Sequence, residues 1–301
     1  MSPVKGLFFN TSENRLRAGW RIVIFIVFFI LMSRILSTIG LTITGDLDKT
    51  GPAYWVLRGI VVIVAGTLVV WIIRRYIDKK TFISLGLKLD NPAVKDFFAG
   101  FVISGVMIGT IFIIFIVSGL SEIQDIIWNS PGISAVSDLL LWFFGIGLAV
   151  GWSEELAFRG YLLQNMKDGM GLFWAVLISC ILYSLLHLSN PNSTILSGVL
   201  IAIFGYLRIF GWLRTGQLWL SMGMHAGWDF LQGPILGFTV SGMNTESFIK
   251  QSFSGADWIT GGSFGPEAGV VVVPALIFGF ILMYTWTVKR ENTPWKTNNR
   301  V

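Results

Sequence analysis

The sequence predicts an all-α, polytopic membrane protein of about eight transmembrane helices with both termini cytoplasmic. Three observations carry that reading. First, hydrophobic residues form 53% of the 301-residue chain and charged residues only 13%, with a mean hydropathy of +0.70. Ordinary soluble domains carry about 25% charged residues, and a soluble core cannot absorb this much apolar surface. Second, apolar runs of roughly twenty residues, the length that crosses a bilayer, recur near 20–42, 54–76, 96–119, 138–165, 171–189, 194–212, 217–236 and 268–288. Third, with the N-terminus inside, 18 of the 22 Lys and Arg fall on the cytoplasmic side, Arg15, Arg21, Arg74, Arg159, Arg208 and Arg214 among them. Outer loops then hold acids such as Glu122, Asp125, Glu246, Asp257 and Glu267. This asymmetry is the positive-inside pattern, and an odd number of spans breaks it.

Taken in order, the N-terminus is basic and then apolar, which resembles a signal peptide. The apolar stretch continues through Arg34 towards Ile39 without a small-residue cleavage site, so it is expected to remain as the first span. Residues 75–95, with Asp78-Lys79-Lys80 and Asn91-Pro92, read as a cytoplasmic loop with a short interfacial helix. Residues 237–267, rich in Gly, Ser and Thr, read as the longest outer loop, and 291–301 as a disordered polar tail. The whole of 1–301 is thus expected to be a single integral-membrane domain in the cell membrane. No internal repeat is visible, which leaves an inverted-repeat transporter unsupported. Small-xxx-small pairs at Gly105/Gly109, Gly147/Gly151 and Gly223/Gly227 predict close helix packing. The lone Cys180 lies in an apolar segment and cannot form an intrachain disulfide. The formal net charge of +5 comes from residues flanking spans, so the expected partner is the lipid bilayer and not nucleic acid.

Against this apolar background, a few ionisable groups stand inside spans, where each costs about 2.5–3.5 kcal/mol and usually marks function. The fourth span carries adjacent Glu154 and Glu155, then Arg159. Glu155 and Arg159 are four apart with the acid first, the favourable order for an ion pair. At about 100° per residue Glu154 should face elsewhere, available as a base. The bland alternative is that the acids neutralise a helix end while Arg159 snorkels. His187 closes Tyr183-Ser-Leu-Leu-His187 in the fifth span; Tyr183, one turn earlier, could orient the imidazole, or His187 could be a satisfied core residue. His225 and Asp229 stand four apart in the seventh span, either a working couple or a buried satisfied pair. The chain has two histidines in all, and both lie in these spans. Their conjunction with the glutamates favours an active centre. Competing signatures are missing: no His-Glu-x-x-His helix, no phosphate-binding Gly-x4-Gly-Lys loop, no Gly-x-Ser-x-Gly elbow. Ser153 beside the acids is unremarkable.

These residues resemble the CPBP intramembrane proteases, the family of type II CAAX prenyl endopeptidases and bacterial Abi-type proteins. Glu154-Glu155-x-x-x-Arg159 is similar to its first motif, Tyr183-x-x-x-His187 to its Phe-x-x-x-His motif, and His225-x-x-x-Asp229 to its His-x-x-x-Asn/Asp motif. The likeness covers about 138–232; Phe264-Gly-Pro-Glu267 and, more weakly, Ser84-Leu-Gly-Leu87 add to it. The resemblance implies peptide-bond hydrolysis on a membrane-associated or lipidated protein or peptide. Glu154 and His187 would activate a water, and His225 with Asp229 would stabilise the oxyanion. Asparagine donates to an oxyanion and an ionised aspartate only accepts, so Asp229 is either protonated, a partner orienting His225, or a cation holder. Metal dependence stays open at this point: Glu154, His187 and His225 make a credible ligand set for a divalent metal such as Zn2+, with Glu155 then the base. A non-hydrolytic immunity or scaffold protein on the same fold is the alternative, and a proton-coupled transporter a third. One geometric tension accompanies all of these. If the fourth helix ends near 165, His187 lies about 24 Å up the next span and meets Glu154 only if that span starts below the membrane, which is expected, or tilts strongly.

Overall fold

The computed structural model describes residues 3–10, 13–45, 47, 51–126 and 134–288. The expected tail at 291–301 and the loop charges Asp46, Asp48 and Lys49 lie outside the described residues. The architecture is all-α. Helices occupy each of the eight expected segments: α1 (Ala18–Thr44), α2 (Pro52–Tyr76), α3 (Asn91–Val117), α4 (Ser137–Met170), α5 (Leu172–His187), α6 (Ile195–Thr215), α7 (Trp219–Phe230) and α8 (Val272–Val288). Five of them, α1, α2, α3, α4 and α6, are long and apolar enough to cross a membrane, which makes this an integral membrane protein; α5 and α8 are shorter apolar helices. At 1.5 Å per residue a sixteen-residue helix reaches only about 24 Å, less than the hydrocarbon thickness of about 30 Å.

Local chemistry sets the helix ends. Asp90 caps α3 by accepting from the Ala93 amide at 3.0 Å, with Pro92 in the first turn, so the helix starts at 91 and not near 96. Thr194 and Ser197 form a reciprocal capping box at the start of α6. Between α2 and α3, the expected short helix is a 3-10 turn, Phe82–Leu85, closed by Gly86 at φ +97°.

Glycines decide how closely α3, α4 and α7 approach. A Cβ on Gly223 would overlap the Phe97 carbonyl, and one on Gly100 the Leu220 carbonyl, so α3 and α7 touch main chain to main chain. Gly147 and Gly151 lie against Ala226 of α7 in the same way, with a Cβ on either reaching 3.0 Å from its backbone. The Gly105/Gly109 pair does not pack as expected: nothing lies within 4 Å of a Cβ on Gly109. Two apolar clusters result, one around Val69, Val70, Leu156 and Leu163, the other around Met107, Leu207, Trp228 and Met283.

The expected outer loop holds more structure than its composition indicates. Its strand β4 (Ile249–Phe253) pairs antiparallel with β3 (Ser121–Ile126), numbered after a small hairpin of β1 (Phe9–Asn10) and β2 (Arg15–Leu16). A second polar knot sits where α1, α2 and α4 meet. Asp78, fully enclosed, pairs with Arg74 at 2.9 Å and accepts from Tyr161 at 3.1 Å and Asn165 at 3.4 Å, with Arg21 3.8 Å away. Arg21 and Arg74 are therefore interior groups and not loop charges.

Candidate active site

The α4–α5 connection resolves the expected tension between Glu154 and His187. Helix α4 continues to Met170, and Gly171, at φ +82°, reverses the chain directly into α5. Glu154 and His187 are thus 17 and 16 residues from that glycine along antiparallel helices, and they come level (171 − 154 and 187 − 171). No sunken start of α5 is needed. Helix α4 also contains two π-helical stretches, Phe143–Leu148 and Glu155–Leu162, and α7 runs on into a third, Leu231–Ile235. Such wider turns are rare and cluster at functional sites, because they rotate side chains out of the ordinary helical register.

Glu154, Tyr183, His187, Arg208, His225, Asp229 and Glu267 all line one cavity of about 260 Å³. The adjacent glutamates do not part company as 100° spacing predicts. They address opposite edges of one imidazole: Glu155 Oε1 lies 2.9 Å from His225 Nδ1, and Glu154 Oε2 lies 3.7 Å from Nε2. The π stretch beginning at Glu155 and the reach of two long side chains permit this. Their surroundings still differ. The Glu155 side chain is sealed from solvent, paired with Arg159 at 3.3 Å and 3.8 Å from Arg208, whereas Glu154 keeps 30% of its side chain exposed. The expected Glu155–Arg159 pair is present, and Arg159 also donates to the Gly205 carbonyl at 3.3 Å and stacks 4.3 Å over the Tyr183 ring.

Tyr183 does more than lie one turn from His187. Its carbonyl oxygen meets His187 Nδ1 at 2.9 Å. A carbonyl only accepts, so Nδ1 carries the proton and the neutral ring keeps a lone pair on Nε2. The Tyr183 hydroxyl donates to Glu154 Oε2 at 3.0 Å and accepts from Arg208 Nη1 at 2.5 Å. Asp229 Oδ2 stands 3.6 Å from His225 Nε2, beyond a good hydrogen bond.

Two residues in this cavity were assigned elsewhere on sequence grounds. Arg208, counted among the cytoplasmic charges, is 4% exposed and faces the site; the available signal was its position inside the apolar run Leu207-Arg208-Ile209. Glu267, counted as an outer-loop acid, is equally buried and accepts from Trp228 Nε1 at 2.8 Å and from the Ser241 amide and hydroxyl at 2.9 and 2.8 Å. It anchors the loop that forms one wall through Val240, Ser241, Met243 and Thr245. Ser153 is buried and does not line the cavity. As for a metal, no group of three His, Cys, Asp or Glu is disposed to hold one among the described residues. Glu154, His187 and His225 line the same cavity.

Comparison with known proteins agrees with the motifs. Residues 136–231 match the family model described as type II CAAX prenyl endopeptidase Rce1-like. Over 79 residues the chain is 33% identical to the uncharacterized protein YyaK of Bacillus subtilis strain 168, which covers 25% of this chain and 26% of that protein. The matched stretch is thus about a quarter of the curated relative's length.

Proposed function

We propose, from a segment 136–231 that carries the signature of the CPBP intramembrane proteases, that the protein is an endopeptidase hydrolysing membrane-associated or lipidated substrates in the cell membrane. The topology in this reading is eight spans with both ends cytoplasmic. One observation carries the proposal: four helices, α4 to α7, each deliver a proton-handling or charged side chain to the same cavity.

In the proposed reaction Glu154 takes a proton from a water whose other hydrogen is accepted by His187 Nε2, and the hydroxide oxygen bonds to the scissile carbonyl carbon. The carbonyl electron pair moves to oxygen. His225 gives Nδ1–H to Glu155 and, when protonated on Nε2, gives Nε2–H to that oxyanion, with the Asp229 carboxyl 3.6 Å from the same nitrogen. Collapse re-forms the carbonyl and breaks the C–N bond, and the Glu154 proton leaves with the amine. A positioned base contributes about 10²–10⁴-fold, and a donor at the oxyanion a similar factor.

Purified protein in nanodiscs, given an internally quenched S-farnesylated peptide ending in a CAAX sequence, is expected to cleave it. Glu154→Gln and His187→Ala should abolish cleavage while inserting normally. In this mechanism the water is activated by Glu154 and His187 alone, so cleavage should survive exhaustive treatment with 1,10-phenanthroline, and its loss would overturn the metal-free reading. Retained cleavage in either variant removes the mechanism. A membrane proteome whose fragment termini are the same with wild-type and Glu154→Gln protein would point to a non-hydrolytic scaffold.

A further inference from the structure

The Tyr183 hydroxyl lies between a cation and a carboxylate. It has one proton to give, and Arg208 Nη1 already donates to its oxygen, so that proton is committed to Glu154 Oε2. A donor that itself accepts from a charged group is polarised and donates more strongly. Arg208 is enclosed, and its Nε, 3.8 Å from Glu155 Oε1, has no hydrogen-bond partner among the described residues. Among the described residues its side chain makes its hydrogen bond to Tyr183. The Glu154 carboxylate meets the Tyr183 hydroxyl and His225 Nε2 through the same oxygen, Oε2.

We infer that Arg208 is a positioning residue that acts through Tyr183 on Glu154. The relay Arg208–Tyr183–Glu154 pins Oε2 and leaves Oε1 as the oxygen presented to the water. The same tyrosine sets both members of the pair, Glu154 through its hydroxyl and His187 through its carbonyl oxygen. Phenylalanine at this place, as in the Phe-x-x-x-His pattern, preserves the ring and the carbonyl but has no relay. Arg208 and the tyrosine hydroxyl therefore function in this chain as a unit. The inference rests on the hydrolytic reading for its catalytic consequence and on geometry alone for the relay.

Two measurements separate those layers. With the quenched farnesylated peptide, Tyr183→Phe should lower kcat about tenfold, as expected for one hydrogen bond to a charged group, with KM unchanged. Arg208→Gln should lower kcat in the wild-type background and add little in the Tyr183→Phe background; Arg208→Lys, which keeps a donor to the hydroxyl, should restore part of the loss. An unchanged kcat in Tyr183→Phe, or fully additive losses, overturns the inference while leaving hydrolysis standing. Independently of turnover, the Glu154 carboxylate stretch is assigned by infrared difference between wild type and Glu154→Gln. It should shift in Tyr183→Phe, shift the same way in Arg208→Gln, and move no further in the double variant. A band insensitive to Arg208→Gln overturns the relay even if no peptide is cleaved.

Discussion

Arg159 shows how much one guanidinium can hold in a low-dielectric interior. It faces Glu155 at 3.3 Å, donates to the main chain of α6 at Gly205, and lies 4.3 Å over the Tyr183 ring centroid. Lysine offers neither the planar fork nor the stacking face, so Arg159→Lys is not conservative. Removing one member of a buried pair costs about 3–5 kcal/mol, because the other charge stays behind unpaired. Glu155 keeps His225 and the nearby Arg208, so Arg159→Ala is expected near the lower end of that range. The measurement is the thermal unfolding midpoint in detergent; a midpoint equal to wild type contradicts the structural assignment of this pair. The Glu155–Arg159 spacing was legible in the chain because i,i+4 neighbours meet on any helix. The role of Arg208 was not, and Glu267 stood out only within the family-like Phe264-Gly-Pro-Glu267 and not by its charge. A charge tally assigns residues by their distance from a span's end, whereas burial of these two depends on which other helices surround them.

At the level of helices, glycine spacing marks contacts correctly only where a partner backbone is present. Gly223 and Gly109 illustrate the contrast, since both sit in small-xxx-small pairs and only the former has a neighbour at contact distance. Gly223→Ala should push α7 off α3 and displace His225, two residues on, with loss of folded protein or of cleavage. Gly109→Ala should leave folding and activity within a twofold range. Size-exclusion profiles with peptide cleavage read both, and a fully active Gly223→Ala would refute the main-chain contact. Helix existence was readable from apolar run length, whereas the start of α3 was not: Asp90 and Asn91-Pro92, which cap it, read in the sequence as part of the preceding loop. The π stretches left no readable trace, because the hydrophobic period hardly changes over one wide turn. The strand Ser121-Glu-Ile-Gln-Asp-Ile126 does not alternate, its apolar residues standing three apart, and its partner at 249–253 is far along the chain, a pairing with no local signature.

For the molecule as a whole, two polar centres sit within one apolar body. Asp78 joins α2 to α4 and approaches α1 through Arg21, so it ties the least enclosed span, α1, with only 6% of its window buried, to the rest. Asp78→Ala leaves Arg74 and Arg21 buried without this carboxylate and should destabilise by about 3–5 kcal/mol, with α1 the first segment to gain protease sensitivity. Equal proteolysis of α1 in wild type and variant argues against that tie. The site itself is built on contrasting supports. Its imidazoles ride on helices in close contact with their neighbours, while the opposite wall is a loop held by hydrogen bonds to Glu267, Asn190 and Gln232. Selectivity can therefore drift independently of chemistry: exchanging Val240, Met243 or Thr245 should retune which sequences the chamber admits, and the machinery that cuts them need never be rebuilt.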